Sequence, residues 1–331
     1  MWPLIGQDRA VAWLERSLKQ GRVSHAYLFL GPPHVGKGTL ALSFAQALNC
    51  QDSNPPCGQC PSCHRIATAK HSDVQFTRLL KDAQEIGIDQ IKDLQQSASL
   101  PPYEGKRKVF IIDEADRMSQ EASNCLLKTL EEPPAHVVII LTASAEDKLL
   151  PTVISRCQRI ELKPVPSKVI EQALVQRDGM EALAAKRLAR LSDGCPGLAF
   201  SPEAREDLLT GRPQRLAELI ALEKVGNAER FTFAGKLANQ FSKRRASLEE
   251  ELKLWSSWWR DLLLAKTGQD GSIVNVDLAD ELKSRAGSLS LAQISGFLSG
   301  LNQAMRQLEQ NANPRLVLEV LMLDLPRQAS A

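Results

Sequence analysis

The string GPPHVGKGT (Gly31 to Thr39) sets Gly31, Gly36 and Lys37 at the spacing of a Walker A phosphate loop. Phosphate needs converging backbone N–H groups unobstructed by side chains, the positive end of a helix and one flexible ammonium. Gly31 and Gly36 would allow such a loop, and Lys37 would meet the terminal phosphates of ATP. The alternative is a chance glycine-rich turn. Straight after the lysine, where a magnesium-binding hydroxyl is expected, stands Gly38, with Thr39 one step later. A displacement of one residue on a helix swings a side chain by about 100 degrees, so magnesium coordination through Thr39 is in question. Downstream, Asp113-Glu114-Ala115-Asp116 has the form of a Walker B element. Asp113 would orient magnesium through water, and Glu114 would polarise an attacking water. An acidic turn capping the next helix is the competing reading. Thr142 and Ser144 end a further apolar run, where their hydroxyls would lie beside those carboxylates and near a γ-phosphate.

A second group has metal chemistry. Cys50, Cys57, Cys60 and Cys63 fall within fourteen residues, in CQDSNPPCGQCPSC. Two overlapping C-x-x-C steps and one more distant thiol match a tetrahedral four-thiolate zinc site. Four sulfurs leave no open coordination position, so the zinc would be structural and would tie together an insertion too small to build a core. A dithiol redox pair is the alternative, weakened by the third evenly spaced thiol. His64 reads as a surface neighbour, and Cys125, Cys157 and Cys195 read as buried small apolar residues.

The elements that would position these groups follow from apolar periodicity. VAWLERSLK, up to Lys19, has helical spacing; AYLFL (26–30) reads as a buried strand running into Gly31; TLALSFAQALN (39–49) reads as a helix. VFIID (109–113) and VVIILTAS (137–144) read as two more strands, separated by ASNCLLKTLEE and the breaker Pro133-Pro134. Continuous apolar strands alternating with helices predict an α/β fold with a parallel sheet covered on both faces. After Lys163 to Ser167 the chain becomes almost wholly helical. The expected division is an α/β domain over 1–163 with the cysteine insertion at 50–63, a small helical lid over 164–208 and a helical domain over 209–331.

With 331 residues the chain exceeds what one core usually serves. Its 43% hydrophobic and 24% charged residues exclude disordered, collagenous and membrane-embedded classes. Lys+Arg 41 against Asp+Glu 39 gives a net charge of +2, so any contact with nucleic acid would be a local patch. The N-terminal residues lack a signal-peptide pattern and no apolar run approaches a membrane span, which predicts a cytoplasmic protein without a membrane partner.

The phosphate loop, the DEAD string and the four-cysteine insertion occur in this order together with SNCLLKTLEEPP (123–134) and ISRCQ (154–158). In these motifs the chain resembles the AAA+ clamp-loader subunits of bacterial DNA polymerase III, closely over about residues 5–200. The resemblance implies an AAA+ sheet, a helical lid and an all-α collar that holds a ring together. It also implies tau/gamma and delta subunits as partners, and a sliding clamp and primed DNA reached through the complex. Tau/gamma-type ATPases in that family carry a lid arginine that reaches the γ-phosphate; here Gly197 stands at that place in SDGCPGLAF. That departure, with Gly38, resembles the largely static delta-prime type, whose own ATPase is weak or absent. By the same resemblance Arg156, in Ser155-Arg156-Cys157, would be an arginine finger reaching into a neighbour's ATP site. A local ion pair with Glu161 or another carboxylate is the competing reading. A tau/gamma-type or other self-sufficient P-loop ATPase is the alternative function.

In the C-terminal half, Leu248, Leu252, Trp255, Trp258, Trp259 and Leu262 follow one helical face, expected to be core. Lys106-Arg107-Lys108 and Lys243-Arg244-Arg245 are basic clusters expected to be solvated faces, with phosphate contact as the alternative.

Overall fold

The computed structural model describes residues 2–80, 83–243 and 245–327. The chain forms two compact units: residues 1–173 with 194–197, and residues 174–193 with 198–331. Its elements are, in order, α1 (Asp8–Lys19), β1 (Ala26–Leu30), α2 (Lys37–Asn49), α3 (Pro61–Ala67), β2 (Val74–Thr77), α4 (Ile88–Ala98), β3 (Lys108–Ile112), α5 (Gln120–Glu131), β4 (Val137–Ala143), α6 (Pro151–Ile154) and β5 (Gln158–Glu161). Among the described residues ten further α-helices follow: α7 (Ser167–Asp178), α8 (Ala182–Leu191), α9 (Pro196–Phe200), α10 (Pro202–Glu206), α11 (Arg212–Ala221), α12 (Asn227–Lys243), α13 (Arg245–Lys266), α14 (Ala279–Ser288), α15 (Leu291–Glu309) and α16 (Pro314–Asp324).

In the first unit the five strands are parallel and lie in the order β2-β3-β4-β1-β5. β1, β3 and β4 are buried along their whole lengths, which is why each reads as an unbroken apolar run. Alternate residues feed opposite faces: Ala26, Leu28 and Leu30 join one core cluster, and Tyr27 and Phe29 join the other. Each fully buried side chain of this size contributes about 2 kcal/mol. Three strands were expected and five are present among the described residues. The two additional ones, VQFT and QRIE, are the sheet edges and expose part of their side chains, so they carry no apolar run. The pairing sets Leu30 of β1 beside Ala143 of β4, and Ile112 of β3 beside Leu141 of β4. The residues following β1, β3 and β4 therefore emerge together at one edge, where chain order reverses and ligands of open α/β sheets bind.

The second unit is helical around its own core, in which Trp255, Trp258 and Trp259 are fully buried with Leu252, Leu262, Phe297 and Leu318. The expectation that the tryptophan face is core holds. Trp255 donates its indole N–H to Glu251 at 2.8 Å. Arg230, itself buried, donates to the carbonyls of Leu222, Met322 and Leu325, closing helix ends that would otherwise leave acceptors unpaired. Arg244 lies outside the described residues, as do the side chains of Lys243 and Arg245.

Candidate nucleotide site and metal centre

The loop after β1 leads into α2 as the sequence predicts. Gly36 caps α2 with φ +111°, a conformation open to glycine, and a Cβ on Gly31 would lie 2.3 Å from the Leu162 carbonyl oxygen. Lys37 does not reach outward. Its ammonium donates to the carbonyls of Gly31 at 2.6 Å and Pro32 at 2.9 Å. Burial pushes it below the ordinary lysine range, opposed by the carboxylates of Asp116, Asp113 and Glu114. The loop's Val35 N–H faces the Pro32 carbonyl at 3.4 Å. Open space surrounds the position where a Gly38 side chain would begin, and Thr39 is exposed on the first turn of α2.

The fold brings the carboxylates and hydroxyls together. Thr142, fully buried, donates to Asp113 at 2.6 Å and accepts the Glu114 N–H at 3.1 Å. Ser144 donates to Asp116 through both its hydroxyl and its N–H. Asp116 does not cap α5; Ser119 does, accepting from Ala122 N–H at 3.1 Å. Glu114 sits at φ +54°, a left-handed conformation that costs a non-glycine residue about 1 kcal/mol or more, and it carries a half-exposed carboxylate.

Arg156 follows α6 on the surface, one third exposed. It donates to Glu131, the last residue of α5, at 2.7 Å and to the Thr152 carbonyl at 2.9 Å. The local ion pair is therefore made with Glu131; Glu161 lies near Lys163 instead. Of the basic cluster, Lys106 is exposed as a solvated face requires, Arg107 is half-buried and Lys108 is buried. Each donates to a backbone carbonyl, of Cys50, Ala135 and Ser97 respectively, binding the start of β3 to its surroundings.

Cys50, Cys57, Cys60 and Cys63 bring four Sγ atoms within 4.8 Å of one another. Bonds of about 2.3 Å to a tetrahedral zinc would set sulfurs about 3.8 Å apart, so the group fits a metal after slight closure. The Cys57 and Cys63 sulfurs are already 4.0 Å apart. Cys57 Sγ accepts the Cys60 N–H, and Cys60 Sγ caps α3 by accepting the Cys63 N–H. Burial raises the Cys60 pKa, but backbone and thiol hydrogen bonds outweigh it and bring the thiol down to about 6. Cys63, more deeply buried, is pushed up. His64 is exposed, Cys195 is buried, and Cys125 and Cys157 are half-buried.

Behind the cysteines lies a support with no local sequence signal. Ser62 meets Nε2 of the buried His71 at 3.1 Å, and the Asp73 N–H donates to His71 Nδ1 at 3.1 Å. With Nδ1 accepting, the neutral ring carries its proton toward Ser62, the reverse of what activating a serine requires. Burial, ahead of the opposing Glu104 carboxylate, keeps this imidazole below its ordinary range. The Asp73 carboxylate accepts the N–H groups of Tyr103, Glu104 and Gly105 at 2.7–2.8 Å. Burial alone would raise its pKa; the three donors overcome this and lower it.

A parallel sheet with its phosphate-type loop at the switch point, carboxylates beyond the neighbouring strand and a hydroxyl strand between them define an AAA+-type α/β protein. The family model described as DNA polymerase III, delta subunit, matches residues 6–166, and the model for the C-terminal part of that delta subunit matches residues 212–327. Only 1–5, 167–211 and 328–331 fall outside the two, and the chain belongs to this family. It is 29% identical to the Bacillus subtilis DNA polymerase III subunit delta' over 321 residues, which cover 96% of each chain. Against the B. subtilis subunit tau it is 29% identical over 344 residues, covering 97% of this chain but 60% of that protein. The chain thus spans less than two thirds of the tau subunit's length. A solved DNA polymerase III gamma subunit-related protein of Thermotoga maritima aligns with a TM-score of 0.46 at 20% identity, over 95% of this chain and 99% of that one. Among the described residues, no helix is long and apolar enough to cross a membrane.

Proposed function

We propose that this chain is a delta-prime-type subunit of a DNA polymerase III clamp loader. It would sit in a complex with tau/gamma and delta subunits and help open the sliding clamp for loading onto primed DNA. Its chemical contribution would be Arg156, offered in trans to ATP bound by a neighbouring subunit. The observation that carries this reading is the guanidinium itself: it stands one third exposed just after a short helix, held by one half-exposed carboxylate and the nearby Thr152 carbonyl. A pair so exposed is worth about 0–1 kcal/mol, so the γ-phosphate of a neighbour's nucleotide, with its greater charge, would displace Glu131 easily. A guanidinium arriving in this way offsets charge on the transferring phosphoryl group.

The chain's own pocket supports the static role. Lys37 is spent on its loop's carbonyls, Gly38 offers no hydroxyl and Gly197 supplies no lid cation. Asp113, Glu114, Thr142 and Ser144 retain the layout of a nucleotide site, with Gly31, Gly36 and Thr39 lining the loop; any Mg·ATP bound there would turn over slowly or not at all. The four cysteines would hold structural zinc, closing the 50–63 insertion into a knuckle. The three-part organisation, 1–163, 164–208 and 209–331, belongs to this reading. The test is reconstitution with tau/gamma, delta and the clamp, comparing clamp-stimulated ATP turnover for native and Arg156→Ala chains. Equal turnover overturns the role in trans.

A further inference from the structure

Gly197 does more than leave out an arginine. Its N–H donates to the His34 carbonyl, at the tip of the phosphate loop, at 2.8 Å. A Cβ at this position would lie 2.8 Å from that same oxygen and 3.1–3.2 Å from His34 Cβ and Cα. Two of these three atoms are backbone and cannot swing aside, so any side chain at 197 must part the two segments. His34 itself is held at φ +62°, unusual for a residue with a side chain. The peptide that Gly197 grips is the one that orients the Val35 N–H, which faces Pro32 rather than the space a phosphate would occupy. The loop's ammonium is turned the same way, onto Gly31 and Pro32.

From these contacts we infer that Gly197 is a positioning residue for the phosphate loop: by clasping the His34 peptide it holds the loop with its donors turned on itself. Nucleotide entry then requires the Gly197–His34 contact to break. The inference rests on residues 31–39 being a phosphate loop. It does not depend on Arg156, whose role is read separately in the assembled complex, so either reading can fail alone.

Calorimetric titration of Mg·ATP into the full chain tests it, comparing native protein with Gly197→Ala and with the Gly197→Ala/Lys37→Ala double variant. Gly197→Ala is expected to bind Mg·ATP about tenfold or more tightly than native, with the gain lost in the double variant. Its melting temperature should change by only a few degrees. Equal affinity in a folded Gly197→Ala chain overturns the inference, as does a gain that survives loss of Lys37. Should Gly197→Ala not fold, amide exchange in the native chain reads the same contact. The Gly197 N–H should be protected alone and released when millimolar Mg·ATP binds; protection that persists with nucleotide bound overturns the proposal.

Discussion

The phosphate loop and the Arg156 corner are two cationic sites in the same unit, and they handle their charge in opposite ways. Lys37 is more than half enclosed and satisfied by two carbonyls of its own loop, so meeting a phosphate would require giving up both. Arg156 is enclosed to a similar degree, but besides the oxygens of Thr152 and Ser155 it holds one half-exposed carboxylate. The lesson is that a cation's availability depends on what it must release, not on its presence in a motif.

The strongest way to break the comparison is Arg156→Ala in the reconstituted complex. Turnover at the neighbouring site should fall about 10³-fold, the scale of a lost arginine finger. Steady-state ATPase assays measure this, and a fall under threefold would erase the distinction between the two sites. Loss of the proposed zinc comes next. Cys57→Ser or a strong chelator should release zinc, detected by metal analysis, and lower stability by about 3 kcal/mol or more while leaving residues 26–30 and 137–143 folded.

Asp73→Asn should cost about 2 kcal/mol at pH 7 in denaturant unfolding, because a charged acceptor for three N–H groups is lost. The sign with pH follows from the lowered folded-state pKa. The carboxylate's contribution is complete above the unfolded value of about 3.9 and is lost as pH falls through the lower folded value. The native–variant difference should therefore be constant from pH 7 to about 5 and shrink below about 4. Lys37→Ala sharpens the contrast directly: turnover of the complex should change less than twofold, while the same change in a tau/gamma partner abolishes it. The smallest effect is that of Glu131→Gln, a half-exposed pair whose loss should cost no more than about 0.5 kcal/mol in thermal unfolding after solvent screening.

Much of this molecule is legible before folding. β1, β3 and β4 are buried on both faces, so their apolar runs announce them within a residue or two, and the cysteine spacing anticipates the four-sulfur cluster. The edge strands escape notice because half-exposed segments of four residues have no distinctive pattern. The partners of the site residues escape too. Glu131 lies 25 residues from Arg156, and the Asp73 cradle spans 30 to 32 residues, separations at which composition says nothing about proximity.

The sequence by itself determined which groups exist: a glycine-lysine loop, an acidic turn, four closely spaced thiols and an arginine in an SRC string, with the loop and the turn each following a locally legible strand. Only the tertiary structure decided how those groups are spent. It turned Lys37 inward, pinned His34 to Gly197 and set Arg156 beside Glu131, since hydrogen-bond partners are chosen by distance in space and burial sets the strength of each choice.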